Sequence, residues 1–136
     1  RIAGSQQTLQ LAAFSNANTQ AYLFTRQYNN NTSYLYSFNE NSWLQNNLDT
    51  PNMFIPLSMS ISSSGIYFGG YDNLDGVERA ALYLYAQNNW RRIESNPYLQ
   101  HCNNYCYIKA LATANDSNTI YISGVDDNGI EIYKYD

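Results

Sequence analysis

Residues 66–90 read IYFGGYDNLDGVERAALYLYAQNNW, and this stretch decides the fold class. It holds two short apolar runs, at 66–70 and 82–85, that are rich in aromatic and aliphatic residues. Asp, Asn and Gly separate the two runs at 72–76, and a second polar turn precedes Trp90. Short apolar runs between turn residues predict β-strands joined by hairpins. A helix would need apolar residues at helical spacing over a longer window, and Asn and Gly interrupt every such window here.

The same pattern occurs three times, in repeat units that cover approximately residues 11–50, 57–100 and 108–136. Three landmarks keep their spacing from one unit to the next, with the differences absorbed in polar loops. Tyr22, Tyr67 and Tyr121 lie 45 and 54 residues apart, Tyr36, Tyr83 and Tyr133 lie 47 and 50 apart, and Trp43 and Trp90 lie 47 apart. The sequence therefore predicts an internal repeat with a period of 45 to 50 residues.

Each complete unit predicts a four-stranded antiparallel meander, with an apolar second strand and a Trp at the start of the fourth. One such sheet cannot bury both of its faces, so successive sheets have to stack on one another. Repeated four-stranded units of this length are typical of β-propeller blades. We expect an all-β chain in which residues 1–136 form a single propeller segment of three blades, with a β-sandwich as the alternative.

The second unit resembles the blades of kelch-type and galactose-oxidase-type propellers. Those blades carry a hydrophobic strand that ends in Gly-Gly, followed by a Tyr and then a Trp. The matching residues are Gly69, Gly70, Tyr83, Tyr85 and Trp90. The resemblance implies a propeller whose blade loops bind a protein partner.

The two ends of the chain predict an incomplete blade. Residues 1–10 align with residues 92–100, since both segments begin with Arg-Ile and end with Leu-Gln. We expect residues 1–10 to be a fourth strand that completes a blade of another copy or segment, because the third unit stops after its third strand. Three blades are too few to close a ring. Either two chains form a homodimer with a six-bladed ring, or the chain is part of a longer propeller.

The charge balance and the length of the apolar runs argue against two features, nucleic-acid binding and a membrane span. Charged residues make up 13% of the chain, the net charge is -4, and the seven Lys and Arg are scattered. Nucleic acid is therefore not an expected partner, because binding to phosphates needs a basic face. No apolar run approaches the roughly 18 residues of a membrane span.

The chain has two cysteines, Cys102 and Cys106, four residues apart. A local disulfide requires a sharp turn between them, and two reduced thiols are the alternative. A zinc site that also used His101 would lack an apparent fourth ligand. The low Lys content and a Cys102–Cys106 bridge favour a secreted, extracellular or periplasmic location.

Catalysis needs convergent groups with tuned pKa values, and the sequence offers a single His and few carboxylates. We expect no catalytic residues, no cofactor and no metal site. The acidic hairpin segments at 72–76 and 126–129 favour tight-turn geometry over calcium binding.

Polar and aromatic loop residues that break the repeat are the candidate ligand-binding residues. They are Arg26, Tyr28, Tyr71, Glu78, Arg79, Tyr98 and Tyr105. In a sugar site an aromatic ring stacks on the sugar while Arg and Glu bind its hydroxyls, and Arg26, Glu78 and Arg79 suit that role. Arg26 has no matching Arg in the other units, which favours one protein-binding surface over repeated sugar sites.

The predicted function is a non-catalytic, kelch-like propeller surface for protein–protein interaction. A lectin-type propeller assembled by oligomerisation is the first alternative, and a fragment of a propeller enzyme is the second.

Overall fold

A computed structural model of the chain describes residues 9–14, 21–27, 32–39, 41–94, 105–114, 118–126 and 129–136. These residues form eleven β-strands and no helix, which confirms the all-β prediction. The strands are β1 (Leu9–Phe14), β2 (Ala21–Arg26), β3 (Ser33–Asn39), β4 (Ser42–Asn47), β5 (Phe54–Ser62), β6 (Gly65–Leu74), β7 (Val77–Ala86), β8 (Asn89–Arg92), β9 (Tyr107–Thr113), β10 (Ile120–Asp126) and β11 (Gly129–Tyr135). In this part of the chain no helix has the length and apolar character needed to cross a membrane.

The strands form three antiparallel sheets, each a simple meander. Sheet A has the order β1-β2-β3-β4, sheet B has the order β5-β6-β7-β8, and sheet C has the order β9-β10-β11. The chain divides into two compact units, residues 1–50 with sheet A and residues 51–136 with sheets B and C. The expected four-stranded meanders are therefore present twice, and the third sheet has three strands in the described residues.

The same cross-strand pairs recur in the three sheets. The pairs are Leu23↔Tyr36, Phe68↔Tyr83 and Ile122↔Tyr133 between the second and third strands, and Phe38↔Trp43 and Tyr85↔Trp90 between the third and fourth. Each Trp ring lies beside its aromatic partner, with centroids 5.2 Å apart in sheet A and 5.1 Å apart in sheet B. Residues with equal spacing in the sequence thus occupy equal positions in the sheets.

Two hairpins of sheet B turn over two residues each. Asp75 and Gly76 have φ of 54° and 75°, and Gln87 and Asn88 have φ of 52° and 59°. Two successive positive φ angles are the geometry of a type I′ turn, which matches the twist of the flanking strands. The first turn is shorter than the sequence suggested, because β6 continues to Leu74 and so makes Asp72 and Asn73 strand residues.

The segment 1–10, expected to be a fourth strand, is described only at its last two residues. Leu9 and Gln10 belong to β1, and residues 1–8 lie outside the described residues. In the stretch 92–100, with which residues 1–10 align, β8 ends at Arg92 and residues 95–100 are outside the described part.

Sheets B and C pack face to face within the second unit. Leu82, Ile108, Ile120 and Ile122 are fully buried between them. A Cβ added to Gly69 would lie 2.4 Å from Cγ2 of Ile108, so β6 and β9 approach more closely than a side chain at position 69 would allow. The absence of a side chain at Gly69 thus permits the close packing of sheet C on sheet B.

Gly70 has a different role. Its added Cβ would lie 1.9 Å from the carbonyl oxygen of Ile55 in β5. The register of β5 and β6 shifts between Pro56 and Ser58, next to this glycine. Gly70 therefore accommodates an irregularity within sheet B and not the packing of sheet C.

Candidate functional site

The candidate site lies at the end of sheets B and C near the β6–β7 hairpin. We call it the tyrosine cluster, and it consists of Tyr71, Glu78, Tyr105, Tyr107 and Lys109. Strand alternation places Tyr71 and Glu78 on the face of sheet B that is turned toward sheet C. The other three residues come from β9 and the two residues before it. A hydrogen bond of 3.4 Å from the Cys106 amide to the Glu78 carbonyl joins the two sheets here.

Aromatic and charged contacts hold the tyrosine cluster together. The rings of Tyr71 and Tyr107 meet edge to face, with centroids 5.0 Å apart and an interplanar angle of 88°. Nζ of Lys109 lies 4.9 Å from the centroid of the Tyr107 ring, which is within cation–π range. Tyr105 is 55% exposed and has a φ of 55°. One ring is therefore open to solvent, while the others are held by their neighbours.

The hydroxyl of Tyr107 donates a hydrogen bond to the Glu78 carboxylate. This bond, together with desolvation and the negative charge of Glu78, raises the pKa of Tyr107 to about 12. With this pKa the Tyr107 phenol is neutral at physiological pH and donates its hydrogen bond to Glu78.

We expect Glu78→Gln to lower the pKa of Tyr107 toward its ordinary value of 10.0, because the charged acceptor is removed. In the wild-type chain the bond contributes stability that is fully present below pH 10.0 and is lost as the pH rises through about 12. NMR titration of ring-¹³C tyrosine, with the Tyr107 signal assigned from Tyr107→Phe, measures the shift. Equal Tyr107 titration curves in the wild type and Glu78→Gln would show that the hydrogen bond to Glu78 does not raise the pKa of Tyr107.

Two of the residues proposed from sequence, Tyr71 and Glu78, contact Tyr107, and a third, Tyr105, lies close enough to contribute to the raised pKa of Tyr107. Two members, Tyr107 and Lys109, were not proposed. The apolar run at 108–111 indicates a strand, and nothing in that run signals that the residue before it, Tyr107, contacts β6 and β7. The sequence predicts that the sheets stack but does not show which residues of neighbouring sheets meet.

The remaining proposed residues lie elsewhere. Arg79 is exposed on the face of β7 opposite Glu78, since neighbouring strand residues point to opposite faces. Arg26 is buried in β2 of sheet A, with an exposed fraction of 7%. Glu78 and Arg79 therefore lie on opposite faces of β7. Tyr28 and Tyr98 lie outside the described residues.

Cys106 is buried directly before β9 and takes part in a disulfide. Cys102, the other cysteine of the chain, lies outside the described residues. In the part of the chain that the structure describes, no group of three or more His, Cys, Asp or Glu side chains is placed to hold a metal ion.

A second polar cluster, which we call the Asp72 cluster, lies on the other face of sheet B and consists of Asp72, Tyr83, Arg92 and Glu94. Nε of Arg92 is 3.0 Å from the Asp72 carboxylate, and Nη1 of Arg92 is 2.7 Å from Glu94. The Tyr83 hydroxyl lies 3.3 and 3.4 Å from the two oxygens of Asp72. Asp72 is 2% exposed, so these contacts satisfy the polar groups of a buried carboxylate.

Comparison with known proteins assigns no family to the chain: no protein-family model, no curated protein and no solved structure matches it. The tyrosine cluster and the stacking of sheets B and C are the features that bear on function.

Proposed function

We propose that the chain is a non-catalytic binding module of a kelch-like β-propeller and that its tyrosine cluster binds a protein partner. The observation that carries this proposal is the grouping of Tyr71, Tyr105 and Tyr107 with Lys109 at one end of two stacked sheets. Tyrosine is enriched at protein interfaces because its ring buries a large area and its hydroxyl still finds a polar partner. Tyr105, more than half exposed, is the residue that we expect to anchor the partner.

The contacts between sheets B and C support the propeller architecture. The first strands of the two sheets adjoin, and the hydroxyls of Ser60 in β5 and Thr113 in β9 share a hydrogen bond of 2.5 Å. Beside the β5–β6 turn, Ser63 donates to Asn118 over 2.6 Å. Face-to-face stacking of meanders with adjoining first strands is how blades pack in a propeller.

The disulfide at Cys106 supports a location outside the reducing cytosol. On this ground we propose a secreted, extracellular or periplasmic location.

A second candidate function is carbohydrate binding, and the juxtaposition of tyrosine rings with Glu78 is the observation that favours it. A sugar needs an open aromatic face and free hydrogen-bonding groups. Here Lys109 lies over the ring of Tyr107, Tyr71 meets that ring edge to face, and Glu78 accepts the hydroxyl of Tyr107. The tyrosine cluster therefore suits the binding of a protein better than the binding of a sugar.

Selection from a peptide phage library on the immobilised chain tests the function. We expect the selected peptides to bind the wild type and Arg79→Ala equally, because Arg79 lies on the opposite face of β7. The double variant Tyr105→Ala/Lys109→Ala should weaken binding about tenfold or more, which corresponds to about 1.4 kcal/mol.

A glycan array with the same variants distinguishes the two functions. Glycan binding that is lost in the double variant, together with no peptide enrichment, would replace the protein partner by a sugar. Peptides that bind the double variant as well as the wild type would place the recognition site elsewhere.

A further inference from the structure

Met53 and Tyr105 are exposed apolar residues at the entrances to sheets B and C. Their exposed fractions are 47% and 55%. Each is followed at once by a buried residue, Phe54 at 0% and Cys106 at 1% exposure. Both residues also have a positive φ, 64° for Met53 and 55° for Tyr105. Large side chains rarely adopt this conformation, and strained backbone of this kind is concentrated at functional sites.

The two residues occupy equivalent positions in their sheets. The third residue after each of them, Pro56 in β5 and Ile108 in β9, pairs with a glycine of the second strand beside a shift of register. The repeat therefore places an exposed apolar side chain, a positive φ and a buried neighbour at the same point twice. One sheet has Met there and the other has Tyr, so the shared properties are exposure and apolar character, which favours a common role at the surface.

Backbone contacts connect Met53 to the tyrosine cluster. The Asn73 amide donates a hydrogen bond of 3.0 Å to the Met53 carbonyl, and Asn73 pairs with Glu78 on the next strand. Neighbouring strands lie about 4.8 Å apart, so the backbones of Met53 and Glu78 are about 10 Å apart. Tyr105 is no further from Glu78, because the amide of the residue after it, Cys106, donates to the Glu78 carbonyl. Both apolar residues thus lie near the same carboxylate.

Negative charge accompanies the two apolar residues. Glu78 lies between β6 and β9, and Asp75 is exposed in the β6–β7 turn. Among the described residues neither acid forms an ion pair with a basic side chain. The nearby bases are engaged or turned away, since Lys109 lies over the Tyr107 ring and Arg79 is on the opposite face of β7. The surface therefore complements a positive charge on a partner.

We propose that Met53 and Tyr105 bind two apolar side chains of one extended segment of a partner protein. That segment carries a Lys or Arg between the two apolar side chains, and this basic residue pairs with Glu78 or Asp75. About six residues of extended chain are enough to reach from Met53 to Tyr105. Met suits such a contact because its flexible side chain adapts to the surface that it meets. The inference rests on the proposed function, since it names the partner of the tyrosine cluster.

The peptides selected on the wild-type chain test the role of Met53. Met53→Gly should raise their dissociation constant about tenfold, as expected for the loss of an apolar anchor. Glycine adopts a φ of 64° without steric strain, so urea unfolding should show a variant about as stable as the wild type. Tyr121→Ala is the matched control, because Tyr121 is 45% exposed but lies at the opposite end of sheet C, and it should leave the affinity unchanged.

The composition of the selected peptides tests the charge of the partner. They should carry Lys or Arg between two apolar residues. The double variant Asp75→Asn/Glu78→Gln should bind them about tenfold more weakly, and its affinity should depend less on salt than that of the wild type. Asn is accepted at the φ of 54° of Asp75, so the turn is kept.

Two results would overturn this inference and leave the proposed function intact. The first is a set of peptides that lose binding in Tyr105→Ala/Lys109→Ala but bind Met53→Gly as tightly as the wild type. The second is a set of peptides that bind the tyrosine cluster and contain no basic residue. A selection that enriches no peptide, or only peptides indifferent to Tyr105→Ala/Lys109→Ala, would overturn the proposed function and this inference with it.

Discussion

Gly70→Ala is expected to lower the free energy of unfolding by about 3 kcal/mol. The added methyl group would lie 1.9 Å from the carbonyl oxygen of Ile55 and 2.9 Å from Cα of Pro56. Both are backbone atoms of β5, which is hydrogen-bonded to β6 on either side of this point. No side-chain rotation relieves the overlap, so the two strands would have to separate.

Two other glycine variants serve as controls for this prediction. In Gly69→Ala the nearest atoms are Cγ2 and Cβ of the fully buried Ile108, at 2.4 and 3.1 Å, so sheets B and C would have to shift slightly and a loss of about 2 kcal/mol is expected. Gly76→Ala meets nothing within 4 Å, but its φ of +75° makes any side chain cost about 1 kcal/mol. Urea unfolding followed by circular dichroism measures all three. If Gly70→Ala were no less stable than Gly76→Ala, the close approach of β5 and β6 would be disproved.

Arg92→Met is expected to cost about 3 kcal/mol near neutral pH, because it leaves the carboxylate of Asp72 buried without its charged partner. The Asp72 side chain is only 3% exposed, and Arg92 provides its ionic contact over 3.0 Å. The two long hydrogen bonds from Tyr83 do not replace that charge. Methionine keeps most of the aliphatic length of arginine, so the loss reports the charge and not the packing.

The loss of stability in Arg92→Met should become larger as the pH rises. Burial already raises the pKa of Asp72 above 3.8 in the folded wild type, although Arg92 and Tyr83 offset part of that effect. A raised pKa means that the folded chain binds the proton more tightly than the unfolded chain. The resulting stability is fully present below pH 3.8 and is lost as the pH rises through the folded pKa. Without Arg92 the pKa of Asp72 rises further, so the loss with increasing pH becomes larger.

The double variant Arg92→Met/Asp72→Asn removes the group that titrates. Urea unfolding from about pH 4 to about pH 8 should show Arg92→Met losing stability with rising pH relative to the double variant. Parallel curves for the two variants would mean that Asp72 does not cause the pH dependence.

The strands and their register could be predicted from local patterns. Tyr36, Tyr83 and Tyr133 occupy equivalent positions in the three sheets. Their spacing in the sequence predicts this because each pairs with a residue of the preceding strand, across a hairpin. Turn chemistry was equally local, since Asp75-Gly76 supplies the two positive φ angles that the hairpin needs.

Contacts between strands that are distant in the sequence could not be predicted in the same way. Asp72 was interpreted as a turn residue, yet its partner Arg92 is 20 residues further along, on β8. Tyr107 binds Glu78, 29 residues earlier and in another sheet. Neither pair has a signal in the local sequence, because each depends on which faces meet after the strands have formed.

The meander order of the three sheets has a consequence for folding and for the history of the gene. In the described part of the chain every hydrogen-bonded strand pair joins strands that are neighbours in sequence, so closing each hairpin costs little loop entropy. Backbone pairing in each sheet can be complete as soon as its own strands leave the ribosome, and contacts of such short range favour rapid folding. Duplication or loss of one whole sheet leaves the pairs of all other sheets intact. A gene that encodes such sheets can therefore gain or lose one whole sheet at a time. Selection then acts only on the sheet faces that pack against one another.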